Sequence, residues 1–152
     1  MKVKFENVNA GWMTVTLLTG LNQYTFDPSD VPCDSILELV DGLGRLLVQD
    51  EEVVTHWNDE PIEHVFVFRK TNEQLKLTVF RLSPHSKMPN REVVFSAEDS
   101  IYKMIRAFWV ALRDLETRYF EQDDDKCWSN PFPKLEMQYL TYHLQNLKKF
   151  QV

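Results

Sequence analysis

The feature that most constrains the fold of this chain is a run of short alternating segments in its middle. In residues 62–69, apolar and aromatic side chains occupy alternate positions, and residues 75–82 and 53–57 have the same strand-like character. Alternation with period two is typical of β-strands that bury one face. The connections between these segments are too short for a parallel crossover, which needs a dozen or more residues. The sequence therefore predicts an antiparallel meander rather than a doubly wound parallel sheet.

A strand hairpin precedes the meander. Residues 2–6, 12–18 and 23–26 are rich in β-branched and apolar side chains, and turn-forming Asn and Gly residues separate them. Residues 83–90 form a polar loop, and residues 91–95 are predicted as the last strand. We expect about six strands in all.

Two to three helices complete the predicted pattern. Ser35 with Glu38 fits a capping box for the first helix, and Ser96 is expected to cap the second. Apolar side chains recur at helical spacing in all three segments: Ile36, Leu39, Val40, Leu43, Leu46 and Leu47; Ile101, Met104, Ile105, Phe108, Trp109, Leu112, Leu115 and Tyr119; and Met137, Leu140, Leu144 and Leu147. Gly42 and Gly44 weaken the first helix and suggest that it packs closely on the sheet.

The order of these elements indicates one α+β domain over residues 1–152, with an antiparallel sheet and the helices packed on one face. With 43% hydrophobic and 12% aromatic residues, the chain is not expected to be disordered. It has no apolar run near the roughly 20 residues of a membrane-spanning helix. Its start lacks the apolar core of a secretory signal, so we expect a cytoplasmic protein with two free thiols, Cys33 and Cys127.

Motifs for catalysis are absent from the sequence. Four glycines form no phosphate-binding loop, and no nucleophile elbow occurs. A metal or small-ligand site can be drawn from His56, Asp59, Glu60 and His64, but no motif supplies another ligand, and a polar turn between two strands is the preferred interpretation. We therefore predict no catalytic residue, no metal and no cofactor.

Aromatic residues and a second acidic run have ordinary interpretations. Trp12, Trp57 and Trp109 occupy strand or helix positions that suit a core. The acidic residues 121–125 lack the spacing of a calcium loop and are expected to be a solvated helix end.

The negative charge of the chain is concentrated in one stretch. The net charge is -6, yet residues 30–63 hold ten acidic residues and one basic residue, Arg45, so the rest of the chain carries +3. A concentrated acidic surface attracts cationic partners, although a solvated surface without a role is the alternative. The overall charge also argues against a nucleic-acid partner. The candidate partner-binding residues are Glu38, Asp41, Glu51, Glu52, Asp59 and Glu60.

Several short segments carry a resemblance to a group of proteins. With Trp12, residues 24–26, residues 33–39 and the turn Trp57-Asn58-Asp59-Glu60-Pro61, the chain resembles small single-domain bacterial proteins of unassigned function. Some similar α+β proteins are immunity proteins of polymorphic-toxin systems. The resemblance implies a cytoplasmic domain that binds another protein, and it assigns no catalytic residue.

These observations lead to three hypotheses. The first is a non-enzymatic, immunity-like domain whose acidic surface blocks a basic protein partner. The second is a small-ligand or metal-binding domain, or an enzyme, with a site near His56 and His64. The third is a structural homodimer that uses the last strand or the third helix as its interface.

Overall fold

The computed structural model describes residues 1–84, 90–120 and 128–150. The described chain contains seven strands: β1 (Lys2–Asn9), β2 (Trp12–Leu18), β3 (Gln23–Phe26), β4 (Glu52–Asp59), β5 (Ile62–Thr71), β6 (Gln74–Ser83) and β7 (Asn90–Ser100). It also contains three α-helices: α1 (Ser35–Val48), α2 (Ile101–Leu115), which a π-helical turn extends over Glu116–Phe120, and α3 (Lys134–Lys149). The acidic run at 121–125 and Cys127 lie outside the described residues.

All seven strands pair antiparallel, in two sheets of order β1-β2-β3 and β4-β5-β6-β7. Ser29 connects the sheets, because it forms isolated bridges to both Trp12 and Asn58. The predicted α+β class with a hairpin followed by a meander is confirmed, with seven strands where about six were expected.

The inner faces of both sheets meet in one apolar core. Phe5 of β1 stacks on Trp57 of β4 with ring centroids 6.0 Å apart, and Phe26 of β3 lies 4.1 Å from His64 of β5. On the helical side, Phe68 packs edge-on against Phe108 of α2. Helix α1 packs along β4, α2 packs on β1, β6 and β7, and α3 packs mainly against α1 and α2.

Both predicted helix caps were wrong, by one residue in α1 and by four residues in α2. Asp34 caps α1 by accepting the Leu37 amide, and the Ser35 side chain turns instead to the sheet. Ser100, not Ser96, caps α2, because β7 continues as far as Ser100. The ladder between β7 and β6 runs on through residues 96–100, so hydrogen bonds to a neighbouring strand replace the expected first turn of the helix.

Two predictions about packing had different outcomes. A Cβ atom built at Gly42 would overlap the side chain of Val53 on β4, which confirms that α1 approaches the sheet closely there. Gly44, by contrast, faces Tyr139 of α3.

Trp57 is fully buried, as expected, but Trp12 is 43% exposed and does not belong to the core. Trp12 lies directly after the tight turn between β1 and β2, at the margin of its sheet.

Among the described residues, no helix is long and apolar enough to cross a membrane.

Candidate partner-binding site

Hydrogen bonds hold the amino-terminal end of α1 against β4, the edge strand of its sheet. Ser35 donates from Oγ to the carbonyl of His56 at 2.6 Å, and the His56 backbone N–H donates to Glu38 Oε2 at 2.8 Å. The His56 ring nitrogen Nδ1 lies 3.1 Å from the same oxygen. These contacts satisfy backbone groups that an edge strand otherwise leaves open. Glu38, one of the six predicted site residues, therefore lies at the edge of the sheet and has a structural role.

The turn between β4 and β5 holds a crowded pair of carboxylates. Burial raises the pKa of Asp59, and the nearby Asp27 carboxylate raises it further. The backbone N–H of Asp27, which donates to Asp59, and the more distant Arg81 lower it only in part. Next in the chain, Glu60 is exposed and accepts a hydrogen bond from Asn58 Nδ2 at 3.3 Å. The turn therefore carries Asp59 and Glu60, and the Asp27 carboxylate lies beside Asp59.

Cys33 lies between the amino-terminal end of α1 and the part of β4 that precedes this turn. Burial raises the pKa of the Cys33 thiol, and the carboxylates of Glu38 and Glu63 raise it further. The hydrogen bond between Cys33 and Ser35 lowers this pKa in part. Glu63 faces Asn58 across the β4–β5 ladder, so it lies beside the same turn. We call the five carboxylates around this turn the acidic patch: Asp27, Glu38, Asp59, Glu60 and Glu63. In the pleat of the β4–β5 pair, Asp59 lies on the face of Trp57 and His64, and Glu63 lies with Asn58 on the other face.

The other three predicted residues lie elsewhere. Glu51 and Glu52 are at the opposite end of β4, where Glu52 pairs with Arg69 at 2.5 Å. Glu52 and Asp59 are seven positions apart along β4, a distance of about 23 Å. Asp41 on α1 pairs with Arg45 at 2.9 Å. The structure thus places Asp59 and Glu60 in the β4–β5 turn and Glu38 at the edge of β4 beside His56. Asp41 lies about one helical turn from Glu38 on α1, and Glu51 and Glu52 lie at the far end of β4.

Sequence reasoning missed two members of the acidic patch. Asp27 lies directly after β3, outside the stretch 30–63 that defined the acidic segment, and its side chain accepts from Thr14 at 2.7 Å. Its position beside Asp59 depends on the hydrogen bond from the Ser29 N–H to the Asn58 carbonyl. A local sequence pattern does not predict this contact. Glu63 was detectable, because it follows the same turn as Asp59 and Glu60.

The two histidines of the second hypothesis lie on opposite faces of the sheet. His56 is exposed and faces Glu38, whereas His64 is buried and its Nε2 is hydrogen-bonded to the Tyr24 hydroxyl at 2.7 Å. Burial and the positive charge of Arg81 lower the pKa of His64 to about 4. Within the described ranges, no group of three His, Cys, Asp or Glu side chains could hold a metal ion. His56 and His64 therefore do not share one site.

The acidic patch has little compensation from neighbouring cations. In the part of the chain that the structure describes, no Lys or Arg nitrogen lies within 4.0 Å of a carboxylate oxygen of Asp27, Asp59, Glu60 or Glu63. Asp27 and Asp59 repel each other, and the positive charge of Arg81 offsets this repulsion only in part, so a bound cation is favoured. The patch is therefore suited to hold Lys or Arg side chains of another molecule.

Comparison of the chain with protein-family models, with curated proteins and with solved structures gave no match.

Proposed function

We propose that this protein is a non-enzymatic binding domain whose acidic patch holds a basic region of a protein partner. The observation that carries the proposal is the proximity of Asp27 and Asp59 at the β4–β5 turn, where neither carboxylate forms an ion pair with a Lys or Arg side chain among the described residues. A partner that brings Lys or Arg side chains to this turn relieves the repulsion. Part of the binding free energy then comes from the strain of the free state.

Hydrogen bonds hold the segments around the acidic patch in place. Ser35 and Glu38 fix α1 to β4, and the Ser29 amide donates to the Asn58 carbonyl at 2.7 Å, which fixes the segment after β3 to the same turn. A binding surface that is ordered before contact loses less conformational entropy on association. Charge complementarity then sets the rate of encounter and the choice of partner.

If the protein is immunity-like, binding also prevents the partner from holding its substrate. A basic protein that acts on a polyanion uses its Lys and Arg side chains to hold that substrate. The acidic patch would occupy the same side chains, so binding and inhibition would be one event. No bond is made or broken on this chain, and none of its residues needs a catalytic role.

The experiment compares two triple variants that remove equal charge. The test variant is Asp59→Asn with Glu60→Gln and Glu63→Gln; the control is Asp50→Asn with Glu51→Gln and Glu52→Gln. Each immobilised protein is used to capture partners from cells of the source organism at about 0.05 M and about 0.5 M salt, since salt screens exposed charges. Captured proteins are identified by mass spectrometry. Glu38 is left unchanged because it supports β4.

We expect the wild type and the control to retain the same basic protein at low salt and to release it at high salt, and the test variant not to retain it. The proposal is wrong if the captured protein is acidic, or if the test variant retains the partner as well as the wild type does. Loss of the partner from the control alone would place the site at the other end of β4.

A further inference from the structure

The solvent-facing side of α3 has an unusual composition for a surface helix. Its inner side is formed by Met137, Leu140 and Leu144, which are buried against α1 and α2. On the outer side, Leu135 is 75% and Tyr142 62% exposed, and Tyr139, whose ring also meets Gly44 of α1, is 47% exposed. We call this outer side the α3 crest; its residues are Leu135, Gln138, Tyr139, Tyr142 and Gln145.

Charge is missing from the middle of this helix. Residues 137–147 contain no Asp, Glu, Lys or Arg, although the exposed side of a helix in a monomeric protein is ordinarily charged. Interface centres are depleted in Lys, Glu and Asp and enriched in Tyr, and exposed tyrosines are common anchors of protein contacts. The composition of the crest is therefore that of an interface rather than of a solvated surface.

The ends of α3 carry opposite charges. Near its amino-terminal end lie Glu136 and Asp34, together with one cation, Lys134, which lines the same cleft. At its carboxyl-terminal end lie Lys148 and Lys149. When two such helices cross antiparallel about a two-fold axis, the basic end of each lies over the acidic end of the other. The crest is thus complementary to a second copy of itself, as an isologous interface requires.

The surface is also large enough for a stable contact. Sixteen residues of α3 span about 24 Å. The exposed side of α1 continues the crest on one flank, where Leu37 is 38% exposed, and α2 continues it on the other through Trp109 and Arg113. A three-helix layer of this length can bury the roughly 800 Å² per partner that is typical of specific interfaces.

We infer that the α3 crest is a two-fold interface through which two copies of this chain form an antiparallel dimer. Helix α3 packs mainly against α1 and α2, whereas the acidic patch is built around β4 and β5. The dimer would therefore present two acidic patches. The inference is independent of the proposed function, because it concerns the association of the chain with itself.

Sedimentation velocity of the full chain tests the inference over a range of protein concentrations. We expect the wild type to sediment as a dimer of twice the 18.0 kDa chain mass. The variant Tyr142→Glu places a carboxylate in the middle of the crest and should weaken the dimer by at least about tenfold, because desolvating an unpaired charge opposes association. The control is Val93→Glu on β7, since Val93 is similarly exposed at 55%.

A charge exchange tests the antiparallel arrangement. Lys148→Glu with Lys149→Glu should weaken the dimer, and adding Glu136→Lys should restore part of the affinity. A wild type that is monomeric at about 0.1 mM, or a dimer that Val93→Glu disrupts and the crest variant does not, would overturn the inference. If the wild type is monomeric and the crest variant loses a captured protein, the crest binds another protein and the self-association is wrong. Circular dichroism of each variant confirms that it is folded.

Discussion

His64 shows most clearly how a single residue connects the two sheets. Its ring stacks on Phe26 of β3 at 4.1 Å, and its Nε2 is hydrogen-bonded to the hydroxyl of Tyr24 on the same strand. Its Nδ1 is buried without a hydrogen-bond partner among the described residues. Arg81 faces His64 across the β5–β6 ladder and disfavours a second positive charge. The native fold therefore holds a neutral imidazole at this position.

This arrangement predicts a loss of stability on acidification. The pKa of His64 is about 4 in the folded chain, against about 6.5 for an unfolded histidine. The unfolded state therefore binds a proton that the folded state does not between these values, and the free energy of unfolding falls as the pH drops from about 6.5 to about 4. This contribution is about 3 kcal/mol at most. Urea denaturation at a series of pH values measures it.

The variant that tests this prediction is His64→Gln. Glutamine at position 64 retains a polar partner for Tyr24 but does not titrate, so the pH dependence of that variant should be shallower than that of the wild type. Equal slopes for His64→Gln and the wild type would show that the imidazole does not contribute.

At the scale of elements, the close approach of α1 to β4 is the contact that places Glu38 in the acidic patch. Gly42 allows this approach, because its missing side chain leaves room for Val53. The glycine costs the helix about 1 kcal/mol relative to Ala, but packing on the sheet outweighs that cost. Ser35 and Glu38 then reach His56 from the first turn of the same helix.

We predict that Gly42→Ala lowers the free energy of unfolding by about 1–3 kcal/mol, despite the better helix propensity of Ala, because the new methyl group overpacks against Val53. The control is Gly20→Ala, where a Cβ atom would meet no other atom within 4 Å. Thermal or urea unfolding of the two variants compares them directly. An unchanged or increased stability of Gly42→Ala would contradict the packing argument.

The elements were predictable to the extent that their signals are local. The alternation in residues 62–69 and the stripe from Ile101 to Leu115 correspond to β5 and α2. The cap of α2 was not predictable from a Ser with acidic neighbours, because pairing with β6 extends β7 through the same residues. Likewise, Asp27 joins Asp59 only through the contact between two sheets, which depends on the complete fold.

At the scale of the whole molecule, the concentrated negative charge of residues 30–63 separates into parts with different surroundings. Asp41 and Asp50 pair with Arg45, and Glu52 pairs with Arg69, so these acids are compensated. Asp59, Glu60 and Glu63 remain at or next to the β4–β5 turn, and Asp27 lies beside Asp59. The sequence stretch is therefore an imperfect guide to the surface, and the fold selects one end of β4 as the uncompensated part.

The most direct test of the acidic patch is the footprint of the captured partner. Amide hydrogen exchange is measured on the chain alone and on its complex with the basic protein recovered at low salt. The account predicts added protection in residues 58–63, around the β4–β5 turn, with little change in residues 49–52 at the opposite end of β4. Protection in residues 49–52 without protection in residues 58–63 would contradict it.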